Sequence, residues 1–273
     1  MPSFQDQCIL ITGATSGIGR ALTLHLLQQG AYVAVCARKQ EALDQLKQEA
    51  NSTRLLCIQA DVSREEDCKR FVENAAREFG AIHILINNAG ISMRALFQEA
   101  GPAILKQNMD INFWGAVYCT YYALPHIIRQ KGSIAGISSV AGYKGLPARS
   151  GYSASKFALQ GFLESLRLEM IPEGVNVLWI CPGFVASNIR NTALNAQGEA
   201  QTETPLNEHK LMSADECARH IAQAILKRKR NVLMDFQGKL TVWVNRFFPR
   251  LADKLVYKHF LHEPGSPLKP LNS

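Results

Sequence analysis

The chain has 273 residues, enough for one large or two small domains. Its 47% hydrophobic and 19% charged residues exclude a disordered or collagenous protein. The formal net charge of +7 is concentrated late: Lys210 to Glu263 holds eleven Lys and Arg against five Asp and Glu. That stretch lacks the zinc spacings and aromatic sheet signatures of nucleic-acid readers, so no nucleic-acid partner is expected.

Mean hydropathy is −0.07, and no run approaches the ~18 uninterrupted apolar residues of a membrane-spanning helix. The most apolar stretch, Phe113–Pro125, predicts a short buried helix. The polar start Met1–Gln7 runs directly into a strand-like segment, so neither a signal peptide nor an N-terminal anchor is expected. The seven cysteines show no CxxC spacing and sit mostly inside apolar runs, and the seven histidines form no HExxH pattern. They read as reduced core residues in a soluble, cytoplasmic protein with no metal site.

Strands are expected at Cys8–Thr12, Tyr32–Ala37, Arg54–Gln59, Ile82–Asn87, Ser133–Ser138, Asn176–Ile180 and Asn231–Met234. They are apolar at nearly every position, as in a parallel sheet covered on both faces. Between them lie segments with helical spacing, such as Ala21, Leu22, Leu24, Leu26 and Leu27. Ser63-Arg64-Glu65-Glu66 and Ser213-Ala214-Asp215-Glu216 fit capping boxes. Repeated β-α units predict one doubly wound α/β domain over residues 1–237. The polar stretch 188–212 follows a strand end and reads as a lid over a ligand crevice.

The first β-α turn reads Thr12-Gly13-Ala14-Thr15-Ser16-Gly17-Ile18-Gly19. Glycines there let backbone N–H groups approach a phosphate at a helix N-terminus, although the GxxxGxG spacing also fits a plain tight turn. The second strand ends Cys36-Ala37-Arg38-Lys39, without the acid that would bind the ribose hydroxyls of NAD. Arg38 offers a planar fork for a 2′-phosphate, so NADP(H) is the preferred cofactor; otherwise Arg38 is a solvated surface residue. Asp61 is placed either to accept from an adenine amino group, with Val62 against the ring, or to make the turn before Ser63.

Tyr152-Ser153-Ala154-Ser155-Lys156 opens a helix, and its i, i+4 spacing sets Lys156 beside Tyr152. A neighbouring cation favours the phenolate and makes tyrosine a usable general acid/base. A YxxxK pair alone is commonly accidental, but Ser138-Ser139 ends a strand just upstream, where a serine can hold a carbonyl oxygen.

Taken in order, TGATSGIG, Asn87-Asn88-Ala89-Gly90, Ile137-Ser138-Ser139, YSASK and Pro182-Gly183-Phe184-Val185 resemble the short-chain dehydrogenase/reductase family, with its Rossmann-fold domain. The resemblance implies Ser139 as the catalytic serine, Tyr152 as acid/base, and Lys156 as its activator and a ligand of the nicotinamide ribose. It implies Asn112 as the holder of a water linking Lys156 to solvent; read from the residues alone, Asn112 interrupts a helix. Asn88, Ala89 and Gly90 would line the adenosine side, with Pro182, Gly183 and Val185 over the nicotinamide. Ser187 replaces the usual threonine and keeps a hydroxyl. The implied assembly is a homodimer or homotetramer built on the Asn112 and Tyr152 helices. Phe157, Phe162 and Leu166 fit that interface and core burial equally.

Residues 238–273 extend beyond such a core. Trp243, Val244, Phe247, Phe248, Leu251, Leu255, Val256 and Phe260 recur at helical spacing beside Lys239, Arg246, Arg250, Lys254 and Lys258, and Pro249 is expected to kink or split the helix. This amphipathic extension packs on its own domain or a dimer partner, covers a lipophilic substrate, or makes peripheral membrane contact through 238–262. The leading reading is an NADP(H)-dependent oxidoreductase reducing a lipophilic ketone or aldehyde. The alternatives are a sugar-nucleotide epimerase or dehydratase, against which the chain length argues, and a non-enzymatic NADP-binding scaffold, which needs neither Ser139 nor Tyr152.

Overall fold

The computed structural model describes residues 3–183, 185, 189–201 and 211–268. Seven parallel strands form one sheet in the order β3-β2-β1-β4-β5-β6-β7. They are β1 (Cys8–Thr12), β2 (Tyr32–Ala37), β3 (Leu55–Gln59), β4 (Ile84–Asn87), β5 (Ser133–Ile137), β6 (Asn176–Cys181) and β7 (Asn231–Leu233). Each agrees with its expected run to within two residues at either end. The order reverses between β1 and β4, which pair from Ile9↔Ile84 to Ile11↔Ile86. A crevice opens at the carboxyl ends of strands at such a switch point.

The strands are apolar throughout because both faces are covered. On one face α1 (Gly17–Gln28) and α7 (Ala214–Leu226) bury Leu22, Leu26, Ile221 and Ile225 against Ile9, Ile11, Val33 and Val35. On the other, α3 (Glu65–Phe79), α5 (Gly115–Arg129) and α6 (Ser150–Glu169) pack Phe71, Ile127, Leu159 and Leu163 against Leu10, Leu85 and Ile134. Full burial of one such side chain stabilises by about 1.5–3 kcal/mol. The helix α2 (Gln40–Ala50) buries Leu43 and Leu46.

Ser213 caps α7 as expected, its Oγ accepting from Glu216 N at 3.1 Å. Ser63 does not cap α3: the cap position is Arg64. Asp61 Oδ1 accepts from both the Ser63 N–H and its hydroxyl, at 3.0 and 2.8 Å. A charged acceptor two residues back captures the serine in an Asx turn, and the helix begins later.

The Phe113–Pro125 stretch is helical but not buried on all sides, since Trp114 and Tyr121 are exposed. It begins inside a π-helical turn, Asp110–Trp114, joining α4 (Pro102–Met109) to α5. Asn112 sits in that turn, so the helix is interrupted there without being ended. Of the three side chains offered for an oligomer face, Leu166 joins the core while Phe157 stays exposed.

Pro249 splits the extension into α8 (Phe236–Phe247) and α9 (Pro249–Leu261), with Phe248 between them outside helical conformation. The pair is tied to the body by Asn245 Nδ2 donating to Tyr143 O at 3.0 Å and by the Lys144–Asp253 ion pair. Phe236, Leu240, Trp243, Phe247, Leu251 and Leu255 remain exposed. Among the described residues no helix is long and apolar enough to cross a membrane.

Candidate active site

The carboxyl ends of the strands open onto a cleft of about 560 Å³, within the range of ligand sites. Gly13, Thr15, Ser16, Gly17, Ile18 and Gly19 line it after β1, Arg38 after β2, and Asp61 and Val62 after β3. Asn88, Ala89 and Gly90 follow from β4, and Ser139, Tyr152, Lys156, Pro182, Gly183 and Val185 complete it. Asn112 stands behind this lining and not in it. Ser187 lies outside the described residues, as do 188 and 202–210 of the expected lid; Ile189, Arg190, Thr192, Leu194 and Ala200 from its described part border the cleft.

The turn after β1 requires its glycines. Gly13 and Gly17 have φ of +66° and +50°, in the left-handed region. A Cβ on Gly13 would lie 2.8 Å from Ala89 Cα, and one on Gly19 would press into Gly13 O and Asn88 Nδ2. Asn88 Nδ2 donates to Thr12 O and Gly13 O, both at 2.9 Å, so this side chain braces the turn. The Thr12 hydroxyl in return accepts from Asn88 N and Ala89 N at 3.0 and 2.9 Å. Thr12 has a role that its place at the head of the motif does not disclose.

No side chain caps α1 and no acid stands in its first turn. The positive end of the helix is thus left facing the cleft, a donor set suited to phosphate. Arg38 is exposed, with its carbonyl held by Gln59 Nε2 at 2.9 Å. Asp61 makes the turn described above while lining the cleft, so its turn role is present and its adenine-facing position is compatible with it.

At the other end, Ser139 is extended and caps the 3-10 turn Val140–Gly142, its Oγ accepting from Ala141 N at 3.1 Å. The same residue lines the cleft together with Tyr152. Lys156 is buried and donates from Nζ to Ile137 O at 2.8 Å, with Nζ 5.7 Å from the centroid of the Tyr152 ring. Burial lowers the Lys156 ammonium to about 8. Burial also lifts the Tyr152 phenol above its ordinary value, against which the Ser139 hydroxyl and the Arg149 guanidinium both act.

Asn112 clamps one backbone residue from both sides: its Oδ1 accepts from Ile91 N at 2.8 Å, and its Nδ2 donates to Ile91 O at 2.9 Å and to Ser155 Oγ at 2.9 Å. A Cβ on Gly90 would lie 3.2 Å from Asn112 Oδ1 and 3.4 Å from Lys156 Nζ, so both side chains reach this glycine. Gln160, four residues beyond Lys156, donates to Ser138 Oγ at 2.8 Å and to Ser139 O at 3.3 Å. That i, i+4 spacing is the signal that would have found it.

The short chain dehydrogenase family model matches residues 7–198. The chain is 35% identical over 268 residues to "11-beta-hydroxysteroid dehydrogenase A" of Arachis hypogaea, covering 94% of this chain and 76% of that one. It is 34% identical over 247 residues to "11-beta-hydroxysteroid dehydrogenase-like 4A" of Arabidopsis thaliana, covering 89% and 81%. A short-chain dehydrogenase/reductase structure from Burkholderia phymatum, in complex with NAD, superposes with a TM-score of 0.81 at 23% identity over 100% of both chains. The structure of levodione reductase aligns at 0.76 and 25% identity, over 86% of this chain and 99% of that one. With the family model spanning most of the core and the five motifs meeting at one cleft, the chain belongs to the short-chain dehydrogenase/reductase family, oxidoreductases that interconvert CH–OH and C=O with a nicotinamide cofactor.

Proposed function

We propose that the protein is an NADP(H)-dependent reductase of a lipophilic ketone or aldehyde. The observation that carries this is a single cleft with Ser139, Tyr152 and Lys156 at one end, a glycine turn under an uncapped helix at the other, and Arg38 with no acid after β2. The glycine turn and the first turn of α1 would hold the diphosphate, and Arg38 the 2′-phosphate. Asp61 and Val62 would take the adenine, with Asn88, Ala89 and Gly90 beside the adenosine. Lys156 would take the nicotinamide ribose, and Pro182, Gly183, Val185 and Ser187 the nicotinamide.

The bound cofactor supplies or accepts the hydride. Ser139 donates a hydrogen bond to the substrate oxygen and stabilises the charge that develops there. Tyr152 gives that oxygen its proton during reduction and removes it during oxidation. A phenol raised by burial is protonated at neutral pH, the form that reduction uses. Lys156, at about 8, is mostly charged at pH 7 and favours the phenolate left behind. Asn112, close to the same glycine as Lys156, would hold the water through which the proton returns from solvent.

An apolar substrate is favoured by the cluster of Met93, Ala95, Ile104 and Leu194, against which Tyr152 packs. The hydroxysteroid dehydrogenase names of the relatives point the same way. Exposed Trp114, Tyr121 and Phe157 offer a face for a homodimer or homotetramer. The unpaired cysteines suit the reducing cytoplasm. The exposed aromatic stripe of α8 and α9, beside Lys239, Arg246, Arg250 and Lys254, suits peripheral contact with an anionic membrane.

Tryptophan fluorescence quenching by NADPH and NADH tests the cofactor assignment. NADPH is expected to bind at least tenfold more tightly, and Arg38→Ala to erase most of that difference. Equal or tighter binding of NADH by the wild type contradicts it.

A further inference from the structure

Past α9 the chain turns back onto the first turn of α6. There the Glu263 carboxylate accepts from the Arg149 guanidinium at 2.9 and 3.1 Å and lies 3.4 Å from Arg94. Arg94 also donates to the carbonyl of Pro264, and Arg149 lies over the Phe260 ring at 4.6 Å. The side chains are only 14% (Arg149), 12% (Arg94) and 9% (Glu263) exposed. Burying three charges carries a desolvation cost that mutual attraction seldom repays in stability, so the cluster calls for another explanation.

The explanation lies three residues on. Arg149 stands immediately before α6, three residues ahead of Tyr152, and Lys156 follows Tyr152 by about one turn with its Nζ 5.7 Å from the ring centroid, so the tyrosine has a cationic residue before and after it in the chain. Around Tyr152, the groups that face it are Ser139 after β5, Cys181 at the end of β6, and Arg149 and Lys156 from its own segment. Arg149 in turn faces Glu263 and Arg94.

We propose that Glu263 is a positioning residue: carried in by the C-terminal extension, it fixes the Arg149 guanidinium where its charge favours the Tyr152 phenolate. The extension thereby becomes part of the proton-transfer machinery as well as a cover for the body. The proposal rests on Tyr152 being the acid/base. Of the Glu263 carboxylate's two partners, Arg149 is the one that acts on Tyr152. Loss of the carboxylate therefore acts as partial loss of Arg149, and not as removal of a negative charge.

The test uses the full chain with Arg149→Met, Arg149→Lys, Glu263→Gln and the Arg149→Met/Glu263→Gln double variant. Two readouts are taken: the absorbance titration of the Tyr152 phenol, as the difference from Tyr152→Phe, and the pH profile of NADPH-dependent ketone reduction. Arg149→Met is expected to move the phenol upward by about one pH unit and Glu263→Gln by less. The double variant should match Arg149→Met, and Arg149→Lys should recover part of the shift. An unmoved or downward-moved phenol in Glu263→Gln, or additive shifts in the double variant, overturns the proposal. Rate lost equally at every pH with an unmoved phenol overturns it too, leaving only a packing role. If Arg149→Met does not fold, Glu263→Gln, which keeps the side-chain shape, decides alone. Should Tyr152→Phe leave the pH profile intact, the acid/base reading fails, while the absorbance titration still decides the role of Glu263.

Discussion

At the β1–α1 end of the cleft the working groups are backbone amides and glycines, whereas at the α6 end they are a partly buried tyrosine and a buried lysine with displaced proton affinities. The first end works by shape. Gly13 and Gly19 leave no room for a methyl group, and the partial charge of a helix end does not titrate. The second works by charge: Lys156 is brought close to neutrality and Tyr152 is pushed away from it, so pH governs what this end can do. An added methyl should therefore damage the first end most, and a removed charge the second.

Gly19→Ala is expected to have the largest effect on the folded state. Its Cβ meets a backbone carbonyl and the Asn88 amide, and relieving that contact should cost about 1–3 kcal/mol in urea unfolding. Cofactor quenching should weaken at least tenfold, with the pH dependence of stability unchanged. A variant as stable as the wild type would break the claim that this end is fixed by shape.

Lys156→Met probes the other end. The buried ammonium titrates near 8, against an ordinary value of 10.5, so the unfolded chain binds more protons between those limits. Wild-type stability therefore rises with pH through this window, relative to a variant that cannot titrate there. Between pH 7.5 and pH 9.5 the unfolding free energy of the wild type should rise relative to that of the variant by about 2 kcal/mol. A difference that stays constant with pH would show that the ammonium is not buried in the folded protein.

The smallest effect is expected from thiol reagents. Burial pushes Cys8, Cys181 and Cys217 up to about 12 and raises Cys36, and a hydrogen bond with Cys68, together with burial, raises Cys119. At pH 8 a water-soluble disulfide reagent should leave these five largely unlabelled until denaturant is added. Fast labelling of Cys36, next to last in β2, or of Cys181, the last residue of β6, would contradict the packing there.

Much of this comparison was legible in the sequence. Strands apolar at every position announced a sheet covered on both faces, and the motifs placed the cleft-lining residues. Pro249 divided the C-terminal helix where its missing N–H requires. What escaped were contacts between distant segments and competitions between neighbours. Ser63 looked like a helix cap because nothing in the spacing shows that Asp61 takes it first. Asn112 looked like an interruption because its spacing does not tell a π-helical turn, whose backbone bonds carry the helix on into α5, from a helix that ends. Arg149 and Glu263 are 114 residues apart, and no local pattern joins them.

The most direct measurement compares wild type with Tyr152→Phe, following NADPH binding by tryptophan quenching and NADPH consumption with a panel of lipophilic ketones. Equal binding with turnover reduced about 10²–10⁴-fold is the predicted result, because the variant keeps the ring and loses only the transferable proton. Undiminished turnover in Tyr152→Phe, or binding lost together with turnover, would contradict the division of the cleft into a cofactor end and a proton-transfer end.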